Sequence, residues 1–553
     1  MPSYAATPFP YTPPPELRGA GRRHPIVVVG AGPVGLSCAI DLALHGVPSV
    51  LLDDSDVVSH GSRAICWAKR SLEIFDRLGV GSRMVDKGVT WNLGRVFHRD
   101  RELYRFDLLP ESGHRRPAFI NLQQYYVEEY LVDRARDFPD LIDLRWRNKV
   151  AGLSPRADAV TLDIETPDGR YALDADWVIA ADGARSALRT MMGLALDGTS
   201  FEERFLIADV RMEADFPTER LFWFEPVFHA GQSALMHRQP DNVFRLDFQL
   251  GPDADPDLER KPERVMSRIR AVVGADTPVE LEWCSVYSFR CARLDRFVHG
   301  RVVFAGDSAH LVSPFGARGG NGGVQDADNL CWKLARVVKG RSPVSLIDTY
   351  DEERRHGADE NILHSSRTTD FMSPRTPVAR QFRDAVLALA ADKPFARALL
   401  NAGRLSKPCS LKGFSLQTPD TIAGGLPPGS PCLDAPVLGL DGEQGWLLDH
   451  VGGAFTLLVF AADAPNLAAI GAAHPDLRVV VVSPRAQDMP GATTLVDVEG
   501  LARSRYTGGP DMGCLIRPDA HVAARFPDLS VSAITDALAR AAGQTLLQAR
   551  NAA

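Results

Sequence analysis

The stretch His24–Gly46, HPIVVVGAGPVGLSCAIDLALHG, decides the fold. Ile26–Gly30 is a β-branched run suited to a buried parallel strand, and after it apolar residues recur at helical spacing until Gly46. PSVLLDD, Pro48–Asp54, follows as a second buried run. Strand, helix and strand make a β-α-β unit, which demands a parallel sheet and a crossover helix. Gly30, Gly32 and Gly35 occupy its first turn as G-x-G-x-x-G. The first glycine permits a tight turn, the second lets backbone approach a pyrophosphate, and the third lets helix pack on strand, while the helix N-terminus offers unpaired N–H groups. Asp53 ends the second strand near the separation of about 20 residues at which a carboxylate meets an adenosine ribose, with Asp54 as the adjacent alternative. The pattern predicts a dinucleotide site without separating NAD from FAD.

The rest of the composition narrows the class. At 553 residues the chain has room for roughly two to four domains. Hydrophobic residues are 45% and charged residues 24%, ordinary globular usage, and no uncharged apolar run approaches the roughly 18 residues of a membrane span. A formal net charge of −8 with scattered Arg and Lys gives no basic field for nucleic acid. Eight cysteines lack any C-x-x-C pair or nearby His at metal-ligand spacing, so no metal site is expected and free thiols in a reducing cytoplasm are. The Pro-rich first 24 residues lack the apolar stretch of an export signal and read as a flexible surface arm.

Further along, YALDADWVIAADGARSALRTMMG and GRVVFAGDSAHLVSPFGARGGNGG each place a buried run before a turn and a helix, so the dinucleotide unit is discontinuous. Between them, RLFWFEPVF, NVFRLDFQL and EWCSVYSFR alternate as half-buried strands do, predicting a separate antiparallel sheet. After the Pro/Gly-rich GGLPPGSPCLDAPV, strand-like runs alternate with helices. The expected division is an arm over 1–24, a nucleotide unit over 25–199 and 291–370, an inserted sheet over 200–290, a helical connection over 371–415, and an α/β unit over 416–553.

AGDSAH, Ala305–His310, separates the cofactors. An acidic residue after a buried strand, followed by the glycine-rich PFGARGGNGG, can bond a ribityl hydroxyl while loop N–H groups hold a flavin's polar edge. NAD alone has no use for that arrangement, which points to FAD.

GAGPVG, ADGARSALR and GDSAHLVSPFGARGGNGGVQDADNLCWKL occur in the order seen in single-component (group A) FAD-dependent aromatic hydroxylases, and over residues 25–370 the chain resembles their phenol hydroxylase / 3-(3-hydroxyphenyl)propionate hydroxylase branch. The resemblance implies an α/β fold: an FAD-binding Rossmann-type (GR2-like) domain, an inserted antiparallel substrate sheet and, through LIRPDAHVAARF, a thioredoxin-like C-terminal domain without a redox C-x-x-C. It implies that Gly30, Gly32, Gly35 and Asp53 hold the ADP half and that Arg63 and Gln124 contact FAD. Asp182 and Gly183 match the D-G motif that serves FAD and the passing nicotinamide, Gly306 and Asp307 match the G-D motif at the ribityl chain, and Pro314, Gly319, Gly320 and Asn321 match the loop beside the isoalloxazine. Many relatives read G-Q-G-x-N-x-G where this chain has Gly316–Gly322, so Arg318 is expected to alter the field at the flavin edge.

The implied reaction is NAD(P)H reduction of FAD, capture of O₂ as a C4a-hydroperoxide, and attack by a phenolic ring. No second G-x-G-x-x-G follows a strand, in keeping with NADH or NADPH as a transient visitor. A homodimer is likewise only implied. The branch's substrate aspartate falls on Ile65 and its strand tyrosine near Asp247, so those roles do not transfer. The residues instead offer Asp247 as a buried base or an outward strand position, His237 for proton exchange near neutral pH, Arg238 for a substrate carboxylate, and Tyr287 for a phenol oxygen or the core. His310 is read as structural, and DEERRHG, Asp351–Gly357, as a solvated helix face. The rival readings are a flavin oxidase or polyketide-tailoring enzyme on the same fold, and a flavin-binding scaffold without turnover.

Overall fold

The computed structural model describes residues 4, 6–19, 21–59, 61–401, 406–461, 466–509 and 511–545. Five strands form a parallel core in the order Val302–Phe304, Gly169–Ala180, Arg23–Val29, Ser49–Leu52 and Ile142–Arg145. Val29 pairs with Leu52 and Ala180, and Ala180 with Phe304, so these strands finish at one level. The helix Pro33–Leu44 packs on this sheet and against the long helix Gly319–Val338.

The inserted sheet is wider than expected. It runs Arg101–Asp107, Leu93–His98, Arg220–Phe224, Ser233–Arg238, Val243–Leu250, Asp197–Met212, Val279–Arg293 and His310–Leu311, recruiting two strands from inside the first nucleotide segment. One face, with Phe244, Leu246 and Phe248, is covered by the helix Pro262–Val273 through Val265 and Ile269. The other, with Phe205, Phe222, Phe224 and Leu235, packs against Phe315 and against Met372 and Leu387 of the helices Asp348–Met372 and Pro377–Ala390. Both faces of this antiparallel sheet are therefore covered, and its polar positions do not all face solvent.

The C-terminal unit is a seven-stranded mixed sheet. Thr456–Phe460, Arg478–Ser483 and Thr493–Val496 lie parallel, and Met512–Ile516 and Val522–Phe526 form an antiparallel hairpin beside them.

Two expectations change. Residues 1–3, 5 and 20 of the arm lie outside the described residues, but the remainder is docked: Tyr4 stacks on Tyr125 with centroids 4.0 Å apart, Phe9 stacks on Trp146 at 4.5 Å, and buried Glu16 receives Arg145 Nη1 at 3.0 Å. DEERRHG is not a solvated face, because Asp351, Glu353, Arg354 and Gly357 are buried. Its charges have partners that helical periodicity cannot reveal. Arg517, in the turn of the C-terminal hairpin, donates to both Glu353 oxygens at 2.7 and 2.8 Å, and Lys333 reaches Glu353 at 2.7 Å. Asn329 bonds Asp519 at 3.0 Å, which itself pairs with Arg517. Burial pushes the Lys333 amine down to about 8 despite Glu353 beside it.

Removing one member of such a cluster strands the others in a low-dielectric interior, at a cost of about 3–5 kcal/mol. Arg517→Leu is expected to lower the urea midpoint and to expose the C-terminal unit to limited proteolysis. An unchanged midpoint and digestion pattern would mean that the cluster does not hold the units together.

Candidate functional site

The parallel register brings the motifs to one edge. Gly30 follows Val29, Asp53 follows Leu52, Asp182 lies two residues past Ala180, and Gly306 lies two past Phe304. Ligands bind such sheets outside the carboxyl ends of the strands.

Gly30 has φ +103°, and a Cβ there would lie 2.5 Å from the Ala181 carbonyl oxygen; one at Gly35 would lie 1.8 Å from the Gly30 oxygen. These two glycines are required for close packing. Gly32 and Gly183 differ, since a Cβ at either meets nothing within 4 Å: their backbones face open space, as a ligand cradle requires. Asp53 accepts the Ala31 N–H at 2.6 Å and the Ser55 N–H at 2.9 Å, bracing the fingerprint turn, and burial raises its carboxyl. Gln124 begins the helix Gln124–Ala135; its Oε1 accepts the Ala64 N–H at 3.2 Å and its Nε2 donates to Glu128 at 2.8 Å, fixing the segment that carries Arg63. Arg63 is exposed and its charge lowers the Asp307 carboxyl.

Asp182 Oδ2 accepts the Leu188 N–H at 3.0 Å, while Oδ1 is buried without a hydrogen-bond partner. Asp307 is open to solvent although surrounding protein desolvates and raises its carboxyl, against His310 and Arg63. A carboxylate both open and desolvated stands in a recess. An orphaned acceptor, a recessed carboxylate and two open glycine backbones fit the hydroxyls and phosphates of FAD.

The loop after Asp307 is shaped by Gly316 at φ +97° and Ala317 at φ +53°, with Pro314 exposed at its start. Gly319 faces Asp307, and Gly320 faces Trp67 and Ala64. Asn321 is spent on backbone: its Oδ1 accepts the Ala68 N–H at 2.8 Å and its Nδ2 donates to the Cys66 and Ala317 carbonyls at 2.9 and 2.6 Å. Arg318 does not point its charge at the loop's open side. It is buried, donates to Asn361 at 2.8 Å, and is desolvated to about 10. His310 Nε2 contacts Asp326 at 2.6 Å, and Asp326 also holds Arg354 at 2.6 Å and the Gly306 N–H at 2.9 Å, a structural cluster beneath the G-D turn.

Cross-strand pairing sorts the substrate candidates. Asp247 stands opposite Ile207 and Leu235, on the face that carries Arg245 and Gln249. Arg245 reaches the Ser62 carbonyl, and Gln249 bonds Ser373 at 2.6 Å, so this face looks toward the nucleotide unit and the C-terminal end of the helix Asp348–Met372. Asp247 is 9% exposed, takes no hydrogen bond among the described residues, and is pushed up to about 6 by desolvation, with Arg245 pulling the other way. Tyr287 is half-buried two strands away, across Asp197–Met212, its hydroxyl pushed well up by burial and by Asp247. His237 shares the face, but burial together with Arg220 and Arg245 holds it well below the usual histidine range. It stays neutral and does not exchange protons near pH 7. Arg238, one residue on, turns to the opposite face and lies over Phe244, because strand side chains alternate. It is not available to a substrate carboxylate at this site.

Two further features complete this face of the sheet. Arg245 pairs with Asp209 at 2.8 and 2.7 Å and clamps the sheet to Ser62. A cavity of about 460 Å³ lies between Arg220, Phe222 and Phe224 of the sheet, Phe315 of the loop, and Phe371 and Phe382 of the helices. The signal for its sheet wall was the two-residue spacing 220, 222, 224, which puts these side chains on one face.

Gly35→Ala is expected to abolish retained FAD, because the Gly30 carbonyl occupies the space of the new methyl. Gly183→Ala meets no atom and carries only left-handed strain of about 1–2 kcal/mol; it should fold and retain FAD more weakly. Flavin absorbance per protein after gel filtration checks both, and full flavin content in Gly35→Ala would refute the packing assignment.

Residues 23–365 match a family model described as FAD binding domain. A flavin-dependent monooxygenase of Mycobacteroides abscessus is 30% identical over 519 residues, 90% of this chain and 96% of that protein. A 3-(3-hydroxy-phenyl)propionate/3-hydroxycinnamic acid hydroxylase of Burkholderia cenocepacia is 31% identical over 379 residues, 67% of this chain and 68% of that one, and the alignment with its namesake in Mycolicibacterium smegmatis, at 28% identity, covers 67% of this chain and 65% of that one. The solved flavin-dependent monooxygenase PieE, in complex with FAD and substrate, has the same fold, with a TM-score of 0.81 at 23% identity over 95% of this chain and 99% of that one. The chain belongs to the FAD binding domain family, among the single-component FAD-dependent aromatic hydroxylases.

Proposed function

We propose that the chain hydroxylates a phenolic ring with NADH or NADPH and O₂ as co-substrates, and that Asp247 is the base that draws the phenolic proton. Bound FAD supplies transfer of reducing equivalents from the nicotinamide and activation of O₂. The protein's part is to orient the ring, exclude water and manage one proton. The observation that carries this reading is Asp247: a carboxylate without a hydrogen-bond partner, raised toward the working pH, on the sheet face directed at the cofactor end. In the step assigned to it, the phenol O–H bond breaks, the proton passes to an Asp247 oxygen, and the electron pair stays on the ring oxygen, making the ring more nucleophilic. Gly32, Gly183 and Asp182 are assigned to the phosphates and hydroxyls of FAD, and Asp307 to its ribityl chain. The thioredoxin-like reading of the C-terminal unit is supported by three parallel strands beside an antiparallel hairpin.

Phenol-dependent NAD(P)H oxidation by the holoenzyme, with hydroxylated product and peroxide measured together, tests the reading. Product in step with NAD(P)H consumed is expected; peroxide alone would indicate an oxidase, and no stimulation across a phenol panel a binding protein. As a base Asp247 acts only when ionised, so kcat/KM should fall below about pH 6, and Asp247→Asn should lower kcat by about 10²–10⁴-fold. The same carboxyl is raised from 3.8 to about 6. The folded protein therefore binds this proton more tightly than the unfolded chain, and its contribution to stability is lost as pH rises from about 4 through about 6, to the extent of roughly 3 kcal/mol. Asp247→Asn should accordingly lose that activity yet be at least as stable at pH 7, and a destabilised variant would count against a buried carboxylate unpaired among the described residues.

A further inference from the structure

The cavity wall holds a guanidinium, Arg220, with no ion-pair partner among the described residues. Arg220 is 9% exposed, its Nε is buried without a hydrogen-bond partner, and among the described residues no carboxylate forms an ion pair with it. Other deeply buried cations have carboxylate partners: Arg245 is matched by Asp209, Arg354 by Asp326, Lys333 and Arg517 by Glu353. An isolated buried guanidinium costs several kcal/mol of desolvation, and arginine cannot shed its proton to escape it. The cavity it lines is largely aromatic, with Phe222 and Phe224 beside it on the strand and Phe315 of the glycine-rich loop across from it; Arg367 and Asp370 also line the cavity, and Asp370 makes no ion pair with Arg220. Asp247, two strands away, feels its charge but does not pair with it. Strand spacing separates the two backbones by about 10 Å across the sheet, leaving room for a ligand between an arginine and an aspartate side chain.

We infer that Arg220 is the specificity residue of this site, supplying the counter-charge for an anionic oxygen on the bound aromatic substrate. The inference rests on the aromatic-hydroxylase reading above and adds the charge of the substrate to it. Two sources share that chemistry. A phenolate would gain because transfer of a proton from a phenol, with a pKa near 10, to a carboxylate near 6 is uphill by about 5–6 kcal/mol unless a cation stabilises the product; a ring carboxylate would gain a charge-assisted, two-pronged contact.

The test compares holoenzyme carrying wild-type Arg220, Arg220→Gln and Arg220→Lys. 4-Nitrophenol, whose colour reports its ionisation, serves as the phenolate probe, benzoate as the carboxylate probe, and nitrobenzene as the uncharged one. In the wild type, Arg220 is expected to favour an anion over nitrobenzene by tenfold or more. Arg220→Gln should lose that preference, Arg220→Lys should keep part of it, and Arg220→Gln should melt no lower than wild type, because it removes an uncompensated charge; a merely structural arginine would give the reverse. A raised pKa of bound 4-nitrophenol in Arg220→Gln assigns the contact to phenolate, while loss of benzoate affinity alone assigns it to carboxylate. Unchanged affinity for both anions in Arg220→Gln, with phenols still hydroxylated, overturns the inference and leaves the proposed function standing. Lost anion preference in a protein that hydroxylates no phenol upholds Arg220 and overturns the proposed function instead.

Discussion

One row of backbone pairings governs the molecule: Val29, Leu52, Ala180 and Phe304, side by side in a parallel sheet. Because the strands end together, the loops that follow them emerge together, and residues from four distant parts of the chain meet without a long-range side-chain contact being needed. The Gly30 N–H bonds the Leu52 carbonyl at 2.8 Å, the Ala181 N–H bonds Val29 at 2.9 Å, and the Ala305 N–H bonds Ala180 at 3.0 Å, so the ladder continues into the motifs themselves. A parallel pair needs a long crossover, and five strands of the inserted sheet are accommodated in the one between Ala180 and Val302 without breaking the ladder.

The helix Gly319–Val338 transmits this order outward. Its first turn, with Asn321 fastened to Cys66 and Ala68, belongs to the glycine-rich loop; Asp326 holds His310, Arg354 and the Gly306 turn; Asn329 and Lys333 meet Glu353 and the hairpin turn of the C-terminal unit. The C-terminal unit thus bears on the same helix that shapes the cofactor end. The clusters are buried and mutually paired, and any single loss leaves an uncompensated charge.

The substrate sheet follows the opposite rule. Its inward face carries Asp247 and Arg220, two charges of opposite sign that stay apart, and Tyr287 on the far side of Asp247. Stable proteins rarely leave such groups unmatched, and where they do, a ligand commonly completes the set. The neighbouring Arg245 is already matched by Asp209 and serves to dock the sheet on Ser62.

The sequence by itself determined the nucleotide unit, because its signals are local: a β-branched run, glycines at set spacing, and an acid at the next strand end each declare their role within a few residues. It also determined the alternation of the inserted sheet. Only the tertiary structure decided which face of that sheet meets the cofactor end. Alternation is symmetric between faces, so Arg238 and His237 looked equally available until strand pairing sent one to Phe244 and the other inward. The charges of Asp351–Gly357 and the arm at Tyr4 and Phe9 were misread for the same reason: their partners, Arg517 and Lys333, Tyr125 and Trp146, lie far away in sequence, and burial of a charge or a ring is a property of the partner as much as of the residue.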